Sequence, residues 1–218
     1  MNKISAIILN SNNRNIDKTL KSVEWCDEVI EYKEPIKGDY AAARNNAMQL
    51  AKNEWVLFID SDEIINKPIK INNNYDGFFI KRRDIFWNHK MRFGEAGTIK
   101  LLRLGKKSAG EWKRKVHEYW DIKNTGQLEE YLIHYPHPTI KSFIDQINFY
   151  TEIDAQELIK DGKKFSYFRL FVNPVGKFLQ NYFLKLGFLD GIAGFAYAFM
   201  MSFHSLVVRV KMREIHGL

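Results

Sequence analysis

Three features of the sequence predict an α/β protein: a mixed sheet flanked by helices, with a helical C-terminal appendage. Residues 4–59 alternate between short β-favouring apolar runs and helix-favouring stretches, the order a parallel sheet requires. Residues 77–135 change to strand-like runs joined by Gly-, Lys- and Asn-rich connections with little helical periodicity. Beyond Pro136 and Pro138, apolar residues recur at helical spacing almost to the end. The expected division is a catalytic-type sheet domain over 1–138 and a helical, membrane-associated region over 139–218.

Taken in order, Ile4 to Leu9 reads as a first buried strand. Its apolar run is too short for a signal-peptide core and ends in Asn10 and Ser11 rather than a cleavage site. A polar loop, Asn10 to Asn15, leads to a helix through Ile16, Leu20 and Val23, with Asn15 as the expected N-cap. Glu28 to Tyr32 is a short second strand, broken by Pro35 and Gly38. Asp39 or Tyr40 opens a second helix, Ala41 to Lys52, rich in good helix formers. Strand Trp55 to Ile59 follows, and then strands over Gly77 to Arg82, Thr98 to Leu104 and Leu128 to Tyr135. Ile140, Phe143, Ile144 and Ile147 begin a long helix that Gly162 stops. Phe165 to Tyr182 is aromatic and basic.

The chain centres on Glu54-Trp55-Val56-Leu57-Phe58-Ile59-Asp60-Ser61-Asp62-Glu63. An uncharged run of strand length ends in three carboxylates at its C-terminal end, the edge where open α/β sheets bind ligands. Asp60 and Asp62 converge on one cation if the chain turns at Ser61, and hard oxygen ligands suit Mg²⁺ or Mn²⁺. A solvated turn whose acidic residues cap the next element fits these ten residues equally well. An EF-hand does not fit, because its obligatory glycine position holds Ile65.

Composition narrows the classes. The 218 residues are 45% apolar and 14% aromatic, enough for a real core and too many for a disordered chain. The single cysteine, Cys26, excludes an intrachain disulfide and a cysteine-based zinc site, and a cytoplasmic setting fits. Net charge is +7, yet Lys81 to Lys115 alone holds twelve Lys or Arg against three Asp or Glu. Such a segment suits anionic partners or is simply a solvated face. With no nucleic-acid-binding motif, and carboxylates at the sheet edge, nucleic acid is not expected. Phe188 to Val208 is almost wholly apolar and is followed by Arg209, Lys211 and Arg213. It nearly reaches a membrane-spanning length, but Asp190 and its glycines argue for a helix lying in the interface. A buried helix packed on the domain or on a second copy is the other reading.

Two stretches carry a family resemblance: Gly38-Asp39-Tyr40-Ala41-Ala42-Ala43-Arg44-Asn45-Asn46-Ala47 and Trp55 through Asp60-Ser61-Asp62-Glu63. In this order they resemble family 2 glycosyltransferases of GT-A (Rossmann-like) fold. Arg103-Leu104, Val116-His117-Glu118, Ile133-His134-Tyr135 and Tyr182 to Gly191 are similar to the lipopolysaccharide core β-1,4-glucosyltransferase-like branch. The resemblance implies an inverting, metal-dependent hexosyltransferase, peripheral at the inner face of the cell membrane. Its donor is a nucleotide-sugar, UDP-sugar first among them, and its acceptor a glycan or glycolipid; a homo-oligomer is counted among the expected partners. It implies Asp62 and Asp60 as metal ligands with Mn²⁺ or Mg²⁺, and Arg44, Asn45, Asp60 and Asn10 as donor contacts. Glu118 is the implied catalytic base, positioned by His117, and Trp87 and Trp112 are acceptor-stacking candidates. Each has a plainer reading: Arg44 as a surface helix residue, Asn45 as a backbone cap, His117-Glu118 as a loop-bonded pair, the tryptophans as core. His134 and His137 either reach a phosphate or metal or merely cap loops. The pattern is interrupted after Tyr32, where about twenty residues bearing a nucleotide-contacting Asp are missing, a large loss against ordinary loop lengths. Glu31 or Glu34 is the available substitute. A non-catalytic relative that binds a glycan or a partner through the same fold is the alternative.

Overall fold

The computed structural model describes residues 2–36, 38–72, 74–115, 117–137, 139–215 and 217. Val116 and Pro138, singled out above, lie outside the described residues. The chain forms two compact units, Met1–Arg82 with Ile99–His134, and Arg83–Thr98 with Tyr135–Leu218.

The first unit is built on β1 (Ile4–Leu9), β2 (Glu28–Tyr32) and β3 (Trp55–Asp60), with β1 paired in parallel to both neighbours. Leu9 is level with Tyr32 on one side and with Asp60 on the other, so all three strands end at one edge. The sheet continues through β7 (Lys100–Lys106), β5 (Gly77–Phe86), β10 (Thr125–His134) and β4 (Glu63–Ile65), in the order β2-β1-β3-β7-β5-β10-β4. The pairings β3–β7, β5–β7 and β10–β4 are antiparallel, which makes the sheet mixed as expected. A separate ribbon pairs β8 (Trp112–Lys113) with β9 (Tyr119–Trp120).

The period of two sorts the side chains onto two faces. Ile4, Ala6, Ile8, Trp55, Leu57 and Ile59 join one core cluster, packed with Ile16 and Val23. Ile7, Leu9, Val56 and Phe58 join the other, with Ala43, Ala47 and Met48. Helices α1 (Asp17–Val23) and α2 (Tyr40–Gln49) therefore cover opposite faces, and the apolar residues of β1 and β3 are buried.

Element positions match the sequence reading, with differences at the ends. The N-cap of α1 is Ile16, not Asn15; the Asn15 side chain instead accepts from the Asp17 N–H at 3.0 Å. Helix α2 ends at Gln49 rather than Lys52, and Asp39 caps its start by accepting from the Ala42 N–H at 2.9 Å. Strand β5 runs four residues past Arg82, and β6 (His89–Lys90) pairs back onto it. Glu118 lies in the β8–β9 connection, just before β9. Cys26 packs against the first core cluster, and burial with the neighbouring Asp27 charge pushes its thiol up to about 12, a packing residue and no nucleophile.

The second unit holds α3 (Ile140–Lys160), α4 (Tyr167–Leu179), a π turn over Gln180–Leu184, a 3-10 turn over Gly187–Asp190, and α5 (Gly191–Ile215). Residues 83–98 belong here. The Asn181 amide accepts from the Glu95 N–H at 2.9 Å, and Lys177 pairs with the Glu95 carboxylate at 2.7 Å. Asp190, which the sequence places inside an apolar helix, sits before α5 instead. It is buried and accepts from the Arg92 N–H at 3.0 Å, the Phe93 N–H at 2.9 Å and His89 at 3.1 Å. Gly194 has a packing reason: a Cβ there would clash with the Gly187 carbonyl oxygen.

Candidate active site

Strand β3 delivers Asp60 to the sheet edge because its apolar residues alternate into the two cores and leave the first carboxylate at the rim. The chain then turns at Ser61-Asp62 and starts β4 at Glu63. The Ser61 N–H donates to the Leu9 carbonyl at 3.2 Å and the Thr19 hydroxyl to the Ser61 carbonyl at 3.3 Å, so the turn is tied to β1 and α1.

Each Asp60 oxygen accepts from a different guanidinium: Oδ1 from Arg44 Nη2 at 2.8 Å, Oδ2 from Arg103 Nη2 at 2.6 Å. Desolvation pushes its pKa up, but the Arg103 and Arg44 charges outweigh it and hold the carboxyl well below the usual range. Glu63 is fully buried and takes the Asp60 N–H at 3.1 Å; burial first, then the Asp60 charge, raise its pKa against the pull of Arg103. Arg103 is held charged beyond its ordinary value by Asp60 and Glu63 in spite of its burial.

Arg44 is 2% exposed and is no surface residue. Its Nε donates to Glu118 Oε1 at 3.0 Å, and its guanidinium lies 4.7 Å from the Trp112 ring centroid and 5.5 Å from Phe58. One arginine thus joins Asp60 to the candidate base Glu118. Arg44 Nη1 and Arg103 Nε and Nη1 are buried with no hydrogen-bond partner among the described residues, an arrangement that suits a further anionic or acceptor group. Asp62 faces other partners: Oδ2 accepts from Arg14 Nη1 at 2.8 Å, and Oδ1 lies 3.6 Å from His134 Nε2 at the end of β10. Among the described residues, no group of three or more His, Cys, Asp or Glu could hold a metal ion.

The remaining candidates separate. Asn10 is buried; its amide donates to Glu31 Oε1 at 2.7 Å and accepts from the Arg14 N–H at 2.9 Å. It shapes the loop that presents Arg14. Asn45 clamps the Trp112 backbone, donating to its carbonyl at 3.0 Å and accepting from its N–H at 2.9 Å, the plain capping role. Trp112 is in the core, stacked on Trp120 at 5.3 Å and edge-on to Phe58 at 5.2 Å, so its faces are not open to a sugar. Trp87 belongs to the second unit, half exposed and stacked on Phe86. His117 sits in the left-handed region at φ 53° beside Glu118. His134 is brought to the site, whereas His137 stacks on Phe143 in the second unit.

Arg103 and Arg14 are the site residues whose roles residue types alone do not reveal. Arg103 does leave a trace, a charge inside the apolar strand Leu101-Leu102-Arg103-Leu104. Arg14 lies in a polar loop and leaves none.

The sequence is similar to known glycosyltransferases. An uncharacterized glycosyltransferase of Rickettsia felis is 26% identical over 256 aligned positions, covering 98% of this chain and 90% of its own length. The alignment is longer than this chain, so the relative carries residues absent here. The lipopolysaccharide core biosynthesis glycosyltransferase LpsC of Rhizobium meliloti is 24% identical over 198 positions, covering 85% of this chain and 73% of its own. Among solved structures, S. aureus TarS 1–349 in complex with UDP aligns over 99% of this chain and 92% of its own, at 13% identity and a TM-score of 0.41. The sequence model described as Glycosyl transferase family 2 matches residues 6–86, the segment that holds β1, Arg14, Arg44, Asp60 and Asp62. Over that segment the chain is similar to glycosyl transferase family 2, and over most of its length to the two glycosyltransferases above.

Proposed function

We propose that this protein is an inverting glycosyltransferase that moves a hexose from a nucleotide-diphosphate donor, UDP-linked first among them, to a lipopolysaccharide-like or other cell-surface glycan. The observation that carries it is the Asp60–Arg44–Glu118 chain at the shared end of three parallel strands, beside Asp62. The Asp62 carboxylate is only partly exposed and is paired with Arg14; a hard divalent cation there would be held by Asp62 alone among the described carboxylates, with the rest of its shell from phosphate oxygens and water. Asp60, with both oxygens on guanidinium groups, serves better as the anchor that aims Arg44 and Arg103. When bound at Asp62, Mn²⁺ or Mg²⁺ would neutralise charge on the departing diphosphate.

The chain's own residues supply the rest. Glu118, oriented through Arg44 Nε, accepts the acceptor hydroxyl's proton as that oxygen bonds the anomeric carbon and the bond to the diphosphate breaks. Direct displacement inverts the anomeric configuration. Arg14 adds positive charge beside the phosphates, and the unpartnered N–H groups of Arg44 and Arg103 offer donors to the donor sugar or nucleotide.

Thermal stabilisation in a panel of sugar nucleotides, with and without Mn²⁺, tests this reading, because a true donor stabilises the fold it binds. One donor should stabilise only with metal present. Asp62→Asn should lose that stabilisation, and Glu118→Gln should keep it while losing transfer. Equal stabilisation with chelator opposes the metal role. Absence of any donor effect favours a non-catalytic binder, the reading supported by the shortened segment after Tyr32.

A further inference from the structure

The second unit leaves an unusual amount of apolar surface in water. Phe168 is 74% exposed, Leu184 80% and Ile192 80%, and Phe171, Val175 and Phe199 are each more than half exposed. A phenylalanine carries ~150–250 Å² of burial area, so these rings alone exceed the few hundred Å² that ordinarily mark an interaction surface. Phe195 touches both Phe178 and Tyr182 at 5.7 Å, which makes the faces of α4, the π turn and α5 continuous.

Helix α5 is long and apolar enough to cross a membrane. Its opposite face, however, is committed: Ala193, Tyr197, Ala198, Met200, Val208 and Met212 are buried. The Ser202 hydroxyl also donates to the Pro174 carbonyl at 2.8 Å. A spanning α5 would have to give up these contacts; a helix lying flat keeps them and presents only its exposed side.

Near the start of α4 the same unit has a cavity of about 220 Å³ lined by Lys163, Lys164, Arg169, Asn173 and Arg209, with Leu158 and Met212 as its apolar part. No carboxylate is among its described lining residues. Asn173, with its amide oxygen toward Arg209, accepts from Nε at 3.1 Å and Nη2 at 2.8 Å and fixes that guanidinium. Burial and the Arg169 charge together hold Arg209 below its ordinary pKa, with Asp154 acting the other way. These cations share one lining, with Asp154 as a counter-charge felt by Arg209, and an incoming anion would relieve their mutual repulsion. Arg169 directly follows the exposed Tyr167 and Phe168, and Arg213 lies over the Tyr167 ring at 5.5 Å. Basic and apolar surfaces therefore adjoin.

We propose that the second unit docks flat on an anionic lipid membrane, with the aromatic face of α4 and α5 in the acyl boundary and a lipid headgroup phosphate in the Lys163, Lys164, Arg169 and Arg209 cavity. Charge complementarity selects this occupant. A twofold pairing of two copies would set the same cations against themselves, whereas an anionic leaflet attracts them. The inference is independent of the chemistry proposed for the first unit.

Co-sedimentation of the full chain with vesicles tests it. Binding is expected with phosphatidylcholine containing about 30% phosphatidylglycerol, and only weakly with phosphatidylcholine alone. Arg169→Gln with Arg209→Gln should weaken partition on the order of 25-fold, about fivefold for each basic residue near the surface. Phe168→Ser with Phe171→Ser should abolish binding with the thermal transition retained. If the arginine pair fails to fold, Lys163→Gln with Lys164→Gln, both exposed and outside any helix, gives the same reading. Equal binding to neutral vesicles, or binding unchanged in the variants, overturns the proposal. So does stabilisation by inorganic phosphate without vesicle binding, or a dimer in light scattering that the phenylalanine pair disperses.

Discussion

The two units solve opposite problems. In the first, apolar side chains vanish into two cores and the site's polar groups are carboxylates and guanidinium groups that neutralise one another. In the second, buried polar anchors such as Asp190 and Asn181 hold the turns, while large apolar side chains remain outside. The first unit's interior is complete in water; the second keeps a large apolar surface exposed. Substitutions should therefore have contrasting costs.

The largest effect is expected at Arg103. Arg103→Ala strands the Asp60 and Glu63 carboxylates with one guanidinium fewer, and breaking a buried ion pair costs about 3–5 kcal/mol. A denaturant midpoint that moves little would show that the charge network is not part of the stable core. Next is Asp190→Ala, which leaves the Arg92 and Phe93 N–H groups without acceptors at about 1–3 kcal/mol for each unsatisfied buried group. That loss should appear as faster amide exchange at Arg92 and Phe93 with the first unit's strands unaffected.

A smaller effect concerns pH. Asp60 ionises below its ordinary 3.8, so its contribution is complete above that value and is lost as pH falls through the folded pKa. Asp60→Asn should accordingly flatten the stability profile between about pH 2 and 4, followed by denaturation at fixed pH. Glu63, with its raised pKa, contributes in the opposite sense: its share declines as pH climbs from the ordinary carboxylate range through the folded value. The smallest effect is expected at Phe171→Ser, within about 0.5 kcal/mol in dilute buffer, because the side chain is already 68% exposed. A large loss there would mean that the ring is needed for folding, and the contrast between the units would fail.

How much was legible follows the range of the interaction. Strand β3 and its terminal carboxylates were readable because an apolar run stopped by Asp60 is a local pattern. The cap at Asp39 was equally local, since its acceptor oxygen reaches only the N–H groups of the next turn. Trp112 stood between sugar stacking and core because its residue type is compatible with either, and only packing chooses. The same holds for Asn45, whose partner is 67 residues away.

By itself, then, the sequence determined the alternation of strands and helices, the acidic rim at Asp60 and Asp62, and the apolar, helical character of the C-terminal region. These depend on periodicities of two and 3.6 residues, which neighbouring side chains alone express. Tertiary structure decided that Arg44 joins Asp60 to Glu118 across 74 residues, that Arg103 supplies the second counter-charge, and which side of α5 stays in solvent. Ion pairing depends on strand register and burial on what packs opposite, and neither is encoded within a single turn or strand.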